Sequence, residues 1–159
     1  MFQPPLVPDS LDVPALKAFD TFALVALDMD RAEEDFALVD ANRDHLADTF
    51  GPANPWPQGV DLRMNRADVA WHEVEFRCRT SFAYWIAEST APAAPLIGCT
   101  YITPSPRAGD DCAVYFWLDK SRASDTAHVK ATLASWLHEG WGFQAVAFPG
   151  RDIPWAEWG

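Results

Sequence analysis

The stretch that most constrains the fold is Ser81–Leu118, SFAYWIAESTAPAAPLIGCTYITPSPRAGDDCAVYFWL. Runs of aromatic and β-branched residues separated by clusters of Pro, Gly, Ser and Asp predict three strands, Phe82–Glu88, Leu96–Thr103 and Cys112–Leu118. The gaps Ser89–Pro95 and Pro104–Asp111 are long enough for antiparallel hairpins and too short for parallel crossovers. Val114–Leu118 is apolar at every position, which calls for cover on both faces of the sheet. The centre of the chain is therefore a sheet between two helical layers.

The flanking segments supply those helices. Phe22–Leu27 reads as a strand, and Asp30–Arg31–Ala32–Glu33 has the pattern of a capping box opening a helix that runs to about Asp48. Gly51–Gly59 is a loop. A second helix spans about Asn65–Arg79, with Ala67, Ala70, Trp71, Val74 and Cys78 expected on its buried face and Arg66, Asp68, Glu73, Glu75, Arg77 and Arg79 mostly in water. A third covers about Asp125–Glu139, with Gly140 as its stop. Phe143–Phe148 is a last strand, expected beside and parallel to Cys112–Leu118 through the third helix. Residues 1–20 read as an extended arm and 149–159 as a docked tail, since Trp155 and Trp158 would otherwise leave large apolar area in water. Residues 1–159 form one domain.

A domain of this length buries roughly 70% of its unfolded surface, and 49% hydrophobic content with eight tryptophans can fill the core without disulfides. Cys78, Cys99 and Cys112 lack CxxC spacing and read as small buried residues. The net charge of −11 disfavours nucleic acid and anionic membranes as partners. The opening MFQPPLVPDS has no basic or apolar leader region, so no signal peptide and a cytoplasmic location are expected. His72–Glu73–Val74–Glu75–Phe76 fits the start of HExxH but places Phe76 where the second zinc-binding histidine belongs, so no metal is expected. There is no serine elbow, P-loop or dinucleotide fingerprint.

The order strand, helix, helix, three strands, helix, strand from Phe22 to Phe148 resembles the GNAT-type N-acetyltransferase superfamily. The resemblance implies an α/β fold with a mixed, mainly antiparallel sheet and helices on both faces, splayed between its last two strands. It implies acetyl-CoA as co-substrate and a small-molecule or peptide amine as acceptor. By position the pantetheine arm would lie along Tyr115, Phe116, Trp117 and Leu118, where a bulged strand presents an amide to the thioester. The pyrophosphate would meet Asp119–Ser124, through Lys120, Ser121, Arg122 and Ser124, with Arg122 the preferred charged contact. That turn contains no glycine, whereas the family's phosphate loop has the form Gln/Arg-x-x-Gly-x-Gly/Ala. The alternative role for Ser124 or Asp125 is to cap the third helix. Tyr115, Glu75 and His72, with Tyr101 and Glu88, are candidates for the group that takes the amine proton. The family usually continues beyond its last shared strand, while only Pro149–Gly159 follows here. The leading reading is an acyl-CoA-dependent N-acyltransferase; the others are a catalytically degenerate module of the same fold used for binding or assembly, and a ligand-binding α/β domain unrelated to the superfamily. A homodimer through the C-terminal sheet edge fits the first two.

Overall fold

The structure, a computed structural model, describes residues 3–159. Six strands form one sheet in sequence order: β1 (Leu16–Ala18), β2 (Ala23–Ala26), β3 (Phe82–Ala87), β4 (Leu96–Thr103), β5 (Cys112–Leu118) and β6 (Val146–Ala147). All neighbours are antiparallel except β5 and β6, which run parallel. The helices are α1 (Ala32–Ala41), α2 (Leu62–Cys78), α3 (Thr126–Trp141) and a short α4 (Trp155–Trp158). The extended arm ends in β1, which pairs with β2; its first two residues lie outside the described ones.

The period of two along the strands sorts the core into two layers. Phe82, Tyr84, Ile86, Val114, Phe116 and Leu118 pack with Val129, Leu133 and Leu137 of α3. Ala83, Trp85, Ala87, Cys99 and Trp117 pack with Ala32, Val39 and Val69 of α1 and α2. Every residue of β3 is buried, as a strand covered on both faces must be. Gly98 sits at the bulge where β4 shifts register against β3. A Cβ there would lie 2.1 Å from the Trp117 carbonyl oxygen. Gly98→Ala is therefore expected to destabilise the fold by about 3 kcal/mol or more, beyond the usual overpacking cost, as thermal or urea unfolding will show.

Helix boundaries depart from expectation where local signals compete. The capping box does not form: Asp28 caps a single 3-10 turn (Met29–Arg31) by accepting from the Asp30 amide, and Glu33 pairs with Arg66 instead. The first helix stops at Ala41 rather than about Asp48. Its C-cap, Asn42, is drawn into contacts with a distant turn, as described below. α3 runs through Gly140 to Trp141 and stops at Gly142, whose φ of 74° is the left-handed conformation of a C-terminal stop. Trp141 is buried against Phe82 and Trp136, which carries the helix past Gly140.

Two larger differences concern faces and lengths. α2 is rotated from the predicted orientation: Asn65 and Val69 are buried, while Met64, Ala67, Trp71, Val74 and Cys78 are exposed. The expected six-residue last strand shortens to Val146–Ala147. The Asp111 carboxylate takes the Gln144 and Ala145 amides at 2.6 and 2.9 Å, so they are not free for the ladder.

Candidate active site

Strand β5 and the segment after β6 part company beyond Ala113, the last β5 residue paired with β6. On its other edge β5 keeps unbroken register with β4 through Leu118, so the bulge lies on β4 and not on β5. The Asp119 amide donates to the Ile97 carbonyl at 2.7 Å, and the Thr100 hydroxyl donates to the Tyr115 carbonyl. By the alternation of an antiparallel ladder, odd-numbered backbone groups of β5 face β4 and those of Phe116 and Leu118 face the gap. This splay opens a groove of about 310 Å³ lined by His45, Asp48, Tyr115, Trp117, Arg151 and Trp155, among others. Arg151 enters the gap: it donates to the Phe116 carbonyl at 2.7 Å and lies 3.8 Å above the Phe116 ring. Trp155 covers the groove, stacked on Tyr115 with 10° between the rings. Trp155 and Trp158, expected to be substantially buried, are half-buried.

The turn after β5 is a 3-10 helix, Lys120–Asp125, capped by Asp119. Its amides already have partners. The Ser121 amide donates to the Asp119 carboxylate at 3.0 Å, and so does the Ser121 hydroxyl. The Lys120 amide donates to Asn42 Oδ1 at 2.9 Å, and the Arg122 amide to the Asp119 carbonyl at 2.8 Å. Asn42 is buried and returns a bond from Nδ2 to Asp119 Oδ1 at 2.7 Å. The Ser121 hydroxyl, then Asn42, hold the Asp119 carboxyl below its ordinary range, against a smaller effect of burial. The first three amides of the turn are thus held by a carboxylate, a carboxamide and a carbonyl of the chain itself.

Of the predicted phosphate contacts, Arg122 is ion-paired with Glu88 and lies 3.8 Å from Asp125. It lines a separate surface depression with Phe22 and His128, not the splay groove. Ser124 is exposed, and neither it nor Asp125 caps α3 with its side chain. The Lys120 side chain is exposed. Phe116 and Leu118 pack their side chains into the α3 layer and Trp117 into the other, and the Phe116 ring also meets Arg151 at the groove.

Tyr115 separates this groove from a second recess. Phe50, His72, Glu75, Tyr101, Thr103 and Tyr115 line one part of it, about 160 Å³. Phe50, His72 and Tyr101 also line an adjoining cavity of about 310 Å³, with Asp35, Asn65, Asp68 and Trp56. Four of the five candidate proton acceptors therefore gather around one recess, and Glu88 alone stands apart with Arg122. Phe50 is the hub of an aromatic wall, its ring 5.2, 5.1 and 5.5 Å from those of Trp56, Tyr101 and Tyr115. His72 Nδ1 lies 3.0 Å from Glu75 Oε2, and its ring is 5.3 Å from that of Tyr101. A carboxylate can only accept, so Nδ1 is the donor in this pair and Nε2 is the ring nitrogen left for another partner. Trp117 donates to the Tyr101 hydroxyl at 3.2 Å, and burial pushes that phenol well above its ordinary pKa. Burial also raises Tyr115, with Trp158 opposing.

The floor of the cavity is acidic. Asp35 is 6% exposed and accepts from Trp85 Nε1 at 2.8 Å and Asn65 Nδ2 at 2.6 Å. Burial raises its pKa, outweighing these bonds and the field of His72. Asp68 is raised for the same reason. No group of residues with metal-binding geometry occurs among the described residues. Sequence reasoning missed Arg151, Asn42, Phe50 and Asp35. An acidic residue on an otherwise inward helix stripe was a usable signal for Asp35. Nothing local marked the others.

A mainly antiparallel sheet, opened between two parallel strands with helices on both faces, is the fold of the GNAT-type N-acetyltransferases. No family model matches the sequence, and no curated protein does. Solved structures do. A ribosomal L7/L12 alpha-N-protein acetyltransferase in complex with coenzyme A superposes with a TM-score of 0.61 at 17% identity, covering 79% of this chain and 69% of that one. The microcin C7 self immunity acetyltransferase in complex with acetyl-CoA and AMP gives 0.60 at 14% identity, over 78% and 65%. The ribosomal-protein-S5-alanine acetyltransferase from Vibrio fischeri gives 0.61 at 13% identity, over 85% and 72%.

Proposed function

We propose that the chain is an acyl-CoA-dependent N-acyltransferase that transfers an acyl group directly to an amine of a small molecule or peptide. The observation that carries this reading is the junction at Tyr115. There a splayed strand edge with backbone groups of Phe116 and Leu118 turned outward meets a recess holding the His72–Glu75 pair. The neighbours of the same fold include proteins bound to coenzyme A and acetyl-CoA, which supports a thioester in the groove. The thioester supplies an activated acyl carbon. Amides along the β5 edge offer donors for its oxygen, and His72 Nε2 is placed to take the amine proton while Glu75 fixes the ring. The aromatic wall and the Asp35 and Asp68 carboxylates suit an acceptor that arrives as a cation.

The fit to the donor is uneven. The β5 edge suits a pantetheine arm once Arg151 withdraws. The following turn suits a diphosphate only once Asp119 releases the Ser121 amide. That same feature favours a second reading, a non-catalytic module of GNAT fold whose donor site is filled by its own side chains. Titrating acetyl-CoA separates the two. The enzyme reading expects saturable heat and a rise in melting temperature, about 2.7 kcal/mol of added stability at a hundred times the dissociation constant. It also expects free thiol to appear when a suitable amine is present. No heat and no thermal shift at millimolar acetyl-CoA would leave the binding-module reading standing.

A further inference from the structure

The outward face of α2 carries Met64, Ala67, Trp71, Val74 and Cys78, all exposed. Trp71 is 61% exposed, and exposed tryptophan in the middle of an apolar stripe is unusual for a free surface. The spacing alternates three and four residues, the repeat of a coiled-coil seam, with Met64, Trp71 and Cys78 at the first apolar position of the heptad and Ala67 and Val74 at the second. The flanks identify what fits the seam. One flank carries Arg63, Ala70 and Arg77, the other Asp68 and Glu75. When two copies of such a helix lie parallel, each first-flank residue faces the second-flank residue five places on in its partner. That sets Arg63 against the partner's Asp68, twice by symmetry. Lying antiparallel, the helices would set basic flank on basic and acidic on acidic, which is repulsive. Arg63 has no ion-pair partner among the described residues, whereas Arg66 and Arg77 have theirs within the chain.

We propose that the chain self-associates as a parallel two-fold dimer through α2, with Trp71 at its centre. The seam is one helix of 17 residues, roughly 25 Å long. It is a small interface, so association is weak and concentration-dependent. The occupant is a second copy of the chain, since the stripe and its flanks are complementary to themselves in this one orientation. The seam differs from the edge of β6, which offers two residues of strand. It also places Asp68, a lining residue of the acceptor cavity, beside the partner's Arg63.

Parallel two-fold geometry brings a residue at the first apolar position close to its own copy. Cys78 is such a residue and is the exposed cysteine, Cys99 and Cys112 being buried. Its α-carbon would fall within the roughly 4.4–6.8 Å that a disulfide spans. Sedimentation equilibrium of the full chain under reducing conditions, from micromolar to submillimolar concentration, should show a mass rising from 17.7 kDa toward twice that value. Trp71→Glu should stay at monomer mass with an unchanged melting temperature, because the side chain is exposed. Arg63→Glu should raise the dissociation constant several-fold, and adding Asp68→Arg should restore it. Diamide, which takes two electrons and two protons from a thiol pair, should link the dimer covalently, and Cys78→Ser should abolish the link. A monomer at every concentration would overturn the proposal, the seam then belonging to some other protein. A dimer that survives Trp71→Glu, or one that diamide does not link through Cys78, would overturn it equally.

Discussion

Replacing Asp119 by alanine is expected to tighten acetyl-CoA binding by about 10–100-fold, the equivalent of about 1.5–3 kcal/mol for hydrogen bonds to a charged group. In the native chain the Asp119 carboxylate holds the Ser121 amide and hydroxyl and one N–H of Asn42. Those donors become available to a diphosphate when the carboxylate is removed, and a like charge leaves at the same time. Acid cannot substitute for the mutation near neutrality. The carboxyl is held below its ordinary range, so it stays ionised until the pH falls under the usual carboxylate window. The sign of its stability contribution follows: present above the unfolded pKa, and lost as pH falls through the lower folded value. Alanine also removes a cap, at about 0.5–2 kcal/mol, so the unliganded variant should melt earlier while gaining more from ligand. Asp119→Asn removes the charge and keeps one acceptor oxygen for the Ser121 amide, while its NH2 group replaces the oxygen that accepts from Asn42. Calorimetric titration of the three proteins reads the effect. Equal dissociation constants throughout would mean that the turn does not receive the diphosphate.

Loss of His72 should be felt in turnover and not in donor binding. With whichever amine supports thioester consumption, His72→Ala is expected to lower kcat by about 10²–10⁴-fold, the range for a positioned general base. The acetyl-CoA dissociation constant should be unchanged, because His72 lines the acceptor recess and not the splay groove. Glu75→Gln should cost less. It keeps a partner for Nδ1 but loses the carboxylate that orients and supports the ring as it takes a proton. Single-turnover kinetics with saturating donor separate chemistry from binding. If His72→Ala turns over like the native chain, the base lies elsewhere, with Tyr115 next in position.

The strands at the centre were legible because their signals are local. Leu96–Thr103 and Cys112–Leu118 appear with the predicted ends, and the first of the three central strands stops one residue short of Glu88. Aromatic and β-branched runs between turn residues specify extended chain without reference to anything far away. The parallel placement of β6 beside β5 followed from the handedness of strand–helix–strand connections. The length of β6 did not, because it turns on whether Asp111 captures two amides thirty-odd residues along the chain.

Only the tertiary structure decided which face of α2 is inside. Counting apolar residues favoured the Trp71 stripe. The buried bonds of Asp35 to Asn65 and Trp85 turn the other face inward, since a buried carboxylate without partners costs more than an exposed tryptophan. The same holds for the site. Asn42 meets Asp119 across 77 residues, Arg151 meets Phe116 across 35, and His72 comes beside Tyr101 from a different layer. The residue types that could transfer a proton or bind a phosphate were readable in the sequence. Whether Arg122 faced the groove or Glu88, and whether the turn's amides were free, depended on contacts that no local pattern encodes. Side chains settle such contacts only after the layers have packed, when each buried polar group must find its partner among whatever the fold has brought near.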